Sequence, residues 1–295
     1  MKYKNKFKNY NKITIVFLIF SLISFIYFFE FYGCDKVDIL SPSDLDVTSE
    51  AGCTKSSVEV QRICQFSQGL INMLASQGSI SIGNCPQVTV NTSQQWINVN
   101  YGINPCISGL DSIRRSGSYN ISYFIGGSND TMAGVITYNN FKIYKVPGNS
   151  SDLNYVSVSG SDTIGFKKGI STQFQTKFII NNTLYTNSGS SISIFLNLDI
   201  VANLYDPLIL TDDDFYIAGS GTIMKTGNYY YSIDNNNPVY ITTNCRYPLT
   251  GKVYLDLSGN RFITDFSPYG GVCDSYISIT KFGKTAYVDI QNAGF

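Results

Sequence analysis

From Cys85 to the C-terminus the chain alternates apolar and polar residues, and a period of two leaves few folds open. Tyr119, Ile121 and Tyr123 share one face of the segment 118–124, Ile192, Ile194 and Leu196 one face of 191–198, and Val253, Leu255 and Leu257 one face of 252–257. The segments 276–280 and 286–290 continue the pattern. Between the segments stand turn formers such as Gly126-Gly127-Ser128-Asn129-Asp130 and Ser258-Gly259-Asn260, the residues that tight antiparallel connections require. The spacing predicts an all-β body of antiparallel hairpin and meander sheets. At 295 residues and 43% apolar content the chain has enough material for its core.

A faint repeat divides that body. Cys85 leads through an alternating stretch and Tyr101-Gly102 to Cys106, and Cys245 leads through Phe262–Phe266 and Gly270-Gly271 to Cys273. Two related β units are expected, 84–172 and 173–295. Ahead of them, within 53–83, Val60, Ile63, Cys64, Leu70, Ile71 and Leu74 recur at helical spacing. Ser56 and Glu59 have the form of a capping box, and Gly78 is a stop, so one helix of about twenty residues is expected, packed on the β body or serving as a spacer.

The N-terminus carries an export address. Lys2, Lys4, Lys6, Lys8 and Lys12 precede Ile13–Phe29, which is apolar apart from Thr14, Ser21 and Ser24. As a helix this run would reach only about 25 Å, short for a hydrocarbon core of roughly 30 Å. Phe31-Tyr32-Gly33-Cys34 resembles a bacterial lipobox, which implies cleavage and lipidation at Cys34; an uncleaved anchor within residues 1–33 is the rival. Residues 34–52 read as a flexible tether. Both readings place the body outside the cytoplasmic membrane, on the cell envelope, at the outer membrane or cell surface.

Six cysteines remain after Cys34, and an even number in an exported chain implies disulfides. Cys85 with Cys106 and Cys245 with Cys273 each bracket a hairpin-like segment, which leaves Cys53 with Cys64.

Composition removes whole classes of chemistry. There is no histidine, which excludes His-based acid–base catalysis, Ser-His or Cys-His nucleophiles and His-ligated metals. The three glutamates, Glu30, Glu50 and Glu59, all precede the β body, so a paired-carboxylate hydrolase would need aspartates alone. Without residues 1–33 the chain carries 16 basic and 20 acidic residues, a balance that offers nucleic acid no basic face. No cofactor is indicated.

Several clusters are candidates for binding. Asp212-Asp213-Asp214 has oxygens for calcium but lacks the alternation of a dedicated loop, and reads first as a solvated turn. Tyr229-Tyr230-Tyr231, in a chain with 22 tyrosines, suits either half-buried strand or a surface that stacks on sugars. Arg114 and Arg115 point to opposite faces of a strand, so at most one of them serves an anion. Asp111-Ser112-Ile113, Asp130-Thr131-Met132 and Asp162-Thr163-Ile164 have the form of an O-glycosylation tripeptide.

The cysteine framework also carries a resemblance. Cys85-Pro86-Gln87-Val88-Thr89-Val90, Val99-Asn100-Tyr101-Gly102 up to Cys106, and Arg114–Ile121 resemble a group of Bacteroidota lipoproteins of unassigned activity. In that group a cysteine-led strand ends in a DFG-like turn before a second cysteine. Asp213–Gly219, Cys245, Gly251 and Gly270–Asp274 extend the likeness over most of 54–295, with Asn100 and Tyr101 in place of the usual Asp and Phe. The resemblance implies export, a lipid anchor and an all-β body. The function expected from all of this is a non-enzymatic envelope lipoprotein that binds or scaffolds a glycan or protein ligand. A surface carbohydrate-binding module is the alternative, and an aspartate-only hydrolase the second.

Overall fold

In the computed structural model, residues 45–77, 80, 85–108, 112–127, 130–144, 154–169, 172–207 and 209–295 are described. Among the described residues one helix, α1 (Thr48–Gln77), precedes fourteen strands: β1 (Gln87–Asn91), β2 (Trp96–Ile107), β3 (Arg114–Ile125), β4 (Thr131–Tyr144), β5 (Tyr155–Lys168), β6 (Gln173–Thr186), β7 (Ser191–Asn203), β8 (Asp214–Met224), β9 (Asn228–Ile233), β10 (Val239–Thr242), β11 (Lys252–Leu257), β12 (Asn260–Asp265), β13 (Tyr276–Lys281) and β14 (Lys284–Asp289). The expected all-β class is what the chain adopts. Every pairing is antiparallel between sequence neighbours, except that β9 passes on to β11 while β10 adds to β8. Alternation is strict where the strands are longest: in β6, Phe174, Thr176, Phe178, Ile180, Asn182 and Leu184 turn inward while Gln173, Gln175 and Lys177 stay exposed.

The expected division at residue 172 is not present. β5 and β6 flank it and pair without interruption from Val156↔Thr186 to Lys168↔Phe174, so 84–172 and 173–295 are parts of one sheet, and Leu45–Phe295 form one compact body.

The helix differs most from expectation. It begins at Thr48, where the Asp46 side chain accepts from the Thr48 N–H at 3.0 Å and Glu50 lies in the first turn, favourably placed against the helix dipole. Thr48–Gly52 therefore belong to the helix and not to the tether, Ser56 and Glu59 lie mid-helix, and the expected stop Gly78 is outside the described residues. Every residue from Glu50 to Leu74 except Phe66 is buried. A helix buried all round is normally apolar, yet this one carries Lys55, Glu59, Gln61, Arg62, Gln65 and Gln68. The sheet curls round it and supplies partners from many strands. Gln68 donates to Thr176 of β6 at 2.9 Å, Tyr229 of β9 donates to Glu50 at 2.9 Å, and Gln61 donates to Tyr231 of β9 at 3.3 Å. Lys55 donates to the carbonyls of Gln291 and Ala293 at 3.0 and 2.9 Å, and Arg62 Nε to the carbonyl of Arg246 at 2.8 Å. Glu59 pairs with Arg246 at 3.4 Å. These bonds offset the desolvation of the polar side chains, a cost of several kcal/mol for each unpaired charge.

The curl has a local cause. In β3 and β5, Gly117 (φ +78°) and Gly160 (φ +123°) adopt backbone that other residues rarely take, and a Cβ at either would fall on a neighbouring carbonyl, of Asn140 or Asn181. The ladders skip register beside them, between Ser116 and Ser118 and between Thr137 and Lys142. Such kinks bend a sheet about a line crossing its strands.

Cys85–Cys106 and Cys245–Cys273 are bonded as expected. Cys53 and Cys64 are not: both are buried, unpaired thiols on α1. Eleven residues of helix separate them by about 16 Å, whereas a disulfide needs Cα atoms within about 7 Å.

Candidate functional site

A curled sheet ordinarily offers its interior to a ligand. Here α1 fills it. Beside the helix a cavity of about 30 Å3 is lined by Arg62, Gln65, Tyr119, Arg115, Asp213 and Thr243 among others, and it has room for a water molecule or two. Gln65 is 2% exposed and both amide atoms lack a protein partner, which suits enclosed water.

Asp213 faces this cavity, and its carboxyl is pushed up to about 8, first by burial and then by the adjacent Asp212. An unfolded aspartate titrates near 3.9, so the native state holds the proton more tightly. The stability this contributes is complete below about pH 4 and is lost as pH rises through 8. Between pH 6 and 8.5 the thermal midpoint should fall, by the equivalent of about 2 kcal/mol, and Asp213→Asn should flatten the slope. A slope that survives in the variant would assign the titration elsewhere.

The outer face carries larger recesses. Strand registers align two outward rows across the sheet. One runs Thr131, Lys167, Gln175, Val201, Tyr216, Tyr240, from β4 through β8 to β10. The other runs Ala133, Gly165, Lys177, Asp199, Ala218. Alanine and glycine keep the floor of the second row low, Lys177 and Asp199 pair at 3.5 Å, and the two rows form an open trough of about 710 Å3.

The end wall of the trough comes from an insertion. β9 and β10 both lie along the same edge of β8, Ile233 opposite Gly219 and Val239 opposite Ile217. The five residues between them, Asp234-Asn235-Asn236-Asn237-Pro238, have one partner position, Ala218, and must bulge outward; Ala218 is buried although its neighbour in the other row, Tyr216, is 40% exposed. Asp234 braces the bulge: its side chain accepts from the Asn236 N–H at 2.9 Å and its carbonyl from the Asn237 N–H at 3.0 Å. Asn235, Asn236 and Asn237 are exposed. At the foot of the bulge the rings of Tyr216 and Tyr240 stack, 4.8 Å between centroids. Beyond it lies a second recess of about 510 Å3, where Lys252 and Asp265 pair at 3.5 Å and Ser267 donates to Asp265 from both N–H and hydroxyl at 2.9 Å. The Cys245–Cys273 disulfide fastens the chain leaving β10 to the segment before β13.

The sites read from sequence are mostly elsewhere. Cys34 and the apolar run Ile13–Phe29 lie outside the described residues, and among the described residues no helix is long and apolar enough to cross a membrane. Of the three aspartates, Asp213 turns to the cavity and Asp214 to Asn203 and Tyr205, and among the described residues no three His, Cys, Asp or Glu side chains are gathered as metal ligands. Tyr229 and Tyr231 point inward to the helix and Tyr230 outward, the half-buried strand reading. Arg115 is buried, while Arg114 lies over the Tyr144 ring on the other face. Of the tripeptides, Asp111 is outside the described residues, Asp162 is fully buried, and Thr131 opens the first outer row. The cavity, the trough and the second recess are each lined by a single aspartate, Asp213, Asp199 and Asp265 in turn.

No family model matches the chain, and no curated protein and no solved structure matches it.

Proposed function

We propose that the chain is a non-enzymatic binding protein of the cell envelope, tethered through a lipid on Cys34 as the lipobox-like residues and the resemblance to Bacteroidota lipoproteins suggest, and that it presents its ligand site on the outer face of the sheet. One observation carries the placement of the site: α1 occupies the interior, while the recesses large enough for a ligand flank the Tyr216–Tyr240 stack on the outside. A rigid sheet wound on a central helix suits display on a tether, since nothing in the site has to move for a ligand to reach it.

Two measurements test this. The N-terminal peptide of protein from native membranes should begin at a diacylglycerol-modified Cys34; a peptide retaining an unmodified Ile13–Phe29 would refute the lipid anchor. Gln175→p-benzoylphenylalanine, on the trough floor, should give a photo-crosslinked adduct in the cells that make the protein, and Thr89→p-benzoylphenylalanine on exposed β1 should not. Equal labelling at both, or none at Gln175, would count against an outer-face site.

A further inference from the structure

We infer that the ligand of this face is a neutral glycan chain lying across the strands, with the Tyr216–Tyr240 stack and the asparagine bulge closing one end of its site. The inference rests on the outer-face reading above and names the ligand class.

The first reason is chemical. A sugar presents hydroxyls that donate and accept together, and an axial face of C–H groups. The counterpart is an amide, which also donates and accepts, next to an exposed aromatic ring. The bulge supplies three consecutive exposed amides, and Tyr216 supplies the ring within the same recesses. The Asp234 brace already holds the bulge, so little order has to be imposed on binding.

Charge points the same way. Lys177 is paired with Asp199 on one side of the bulge, and Lys252 with Asp265 on the other. Lys167 adds one further positive charge to the trough lining, so the pairs leave hydrogen-bonding capacity for hydroxyls and a single excess charge, short of the basic field that a nucleic acid or a strongly sulfated chain would need.

Direction decides between glycan and peptide. An extended peptide binds a sheet by adding to a free edge, and β4 to β8 are paired on both sides along the trough. A folded protein partner draws most of its affinity from anchor side chains seated in closed, fully desolvated pockets, whereas the trough is open along its length. The trough runs perpendicular to the strands. From β4 to β10 it crosses five interstrand spacings, about 24 Å, close to the length of four or five hexose units.

The test is a glycan array on the intact exported chain, followed by titration calorimetry with the oligosaccharides that bind. Expected are neutral glycans whose affinity rises with length to four or five units and then levels, with Tyr216→Ala and Asn235→Ala each lowering it tenfold or more. Tyr185→Ala, at an exposed tyrosine on the outer face of β6 eight residues along the strand from Lys177, should leave affinity unchanged, and unfolding midpoints should show that all three variants stay folded. Binding confined to sulfated or uronic glycans, or binding that survives Tyr216→Ala, would overturn the inference. So would an empty array while the benzophenone at Gln175 captures a protein, which would leave the outer-face site standing. An empty array with no capture would overturn both.

Discussion

Asp162→Ala is expected to cost about 3 to 5 kcal/mol of folding stability, the usual range for removing one partner from a buried charged network, although no surface or ligand contact is touched. Asp162 is 0% exposed. It accepts the Tyr138 hydroxyl from β4, the Asn181 N–H from β6 at 3.1 Å, and the Asn182 amide with both oxygens at 2.8 Å. Three strands are thereby joined beside Gly160, where the sheet bends round the helix. Alanine would leave the Tyr138 hydroxyl and the Asn182 amide in a dry interior with no acceptor. For a body of this size the thermal midpoint should drop by roughly 10 °C; a drop under about 2 °C would mean that water or a neighbour takes over the acceptor role. Asp162→Asn should cost less and carry its own pH signature. Burial raises the carboxyl to about 6 against the hydrogen bonds from Tyr138, Asn182, Asn181 and the Cys64 thiol, which act to lower it. The native state therefore binds this proton more tightly than the unfolded chain, and stability declines between about pH 4 and 6 in the parent. That decline should be flatter in the asparagine variant.

The strands could be read from sequence because half-burial writes itself as alternation: Phe174 through Leu184 in β6 and Ile192 through Ala202 in β7 are inward without exception. The sequence could not show that they form one sheet. Continuity past residue 172 depends on a register between β5 and β6, and the bend depends on Gly117 and Gly160, which look like any strand glycine until their neighbours are placed. The helix was legible as a helix and misleading as a surface. Lys55, Gln61 and Arg62 suggest a solvated face, yet their partners stand 236, 170 and 184 residues away, and no local pattern announces them. The Cys53–Cys64 pairing has a related origin: with Ser56 read as the cap, Cys53 stands ahead of the helix, whereas the helix begins at Thr48 and sets both cysteines on one rod. The outer trough was out of reach for a different reason. Its rows take one residue from each of several strands, and the one local sign of it, Asp234–Pro238 between two alternating segments, reads as an ordinary turn until β9 and β10 are seen to share an edge of β8.

Two identical substitutions five residues apart on β5 should have opposite outcomes. Gly160→Ala is expected to cost at least about 3 kcal/mol, because it adds backbone strain at φ +123° to a steric conflict with the Asn181 carbonyl, effects of about 1 to 3 kcal/mol each. The conflict is with main chain, so no rotamer change relieves it; β5 and β6 would have to part beside the Asp162 network. Gly165→Ala should change stability by less than about 0.5 kcal/mol or raise it slightly, since a Cβ there meets nothing within 4 Å and reduces the freedom of the unfolded chain. Gly165 lies in the floor of the trough, so the same methyl group should narrow the ligand site while leaving the fold intact. Chemical denaturation of the two variants separates the cases. Near-equal midpoints would mean that the sheet tolerates a side chain at its bend, and the curl round α1 would then need another cause. If only Gly160→Ala is lost, the bend is set by glycine, and the geometry of the outer trough follows from the enclosure of the helix within.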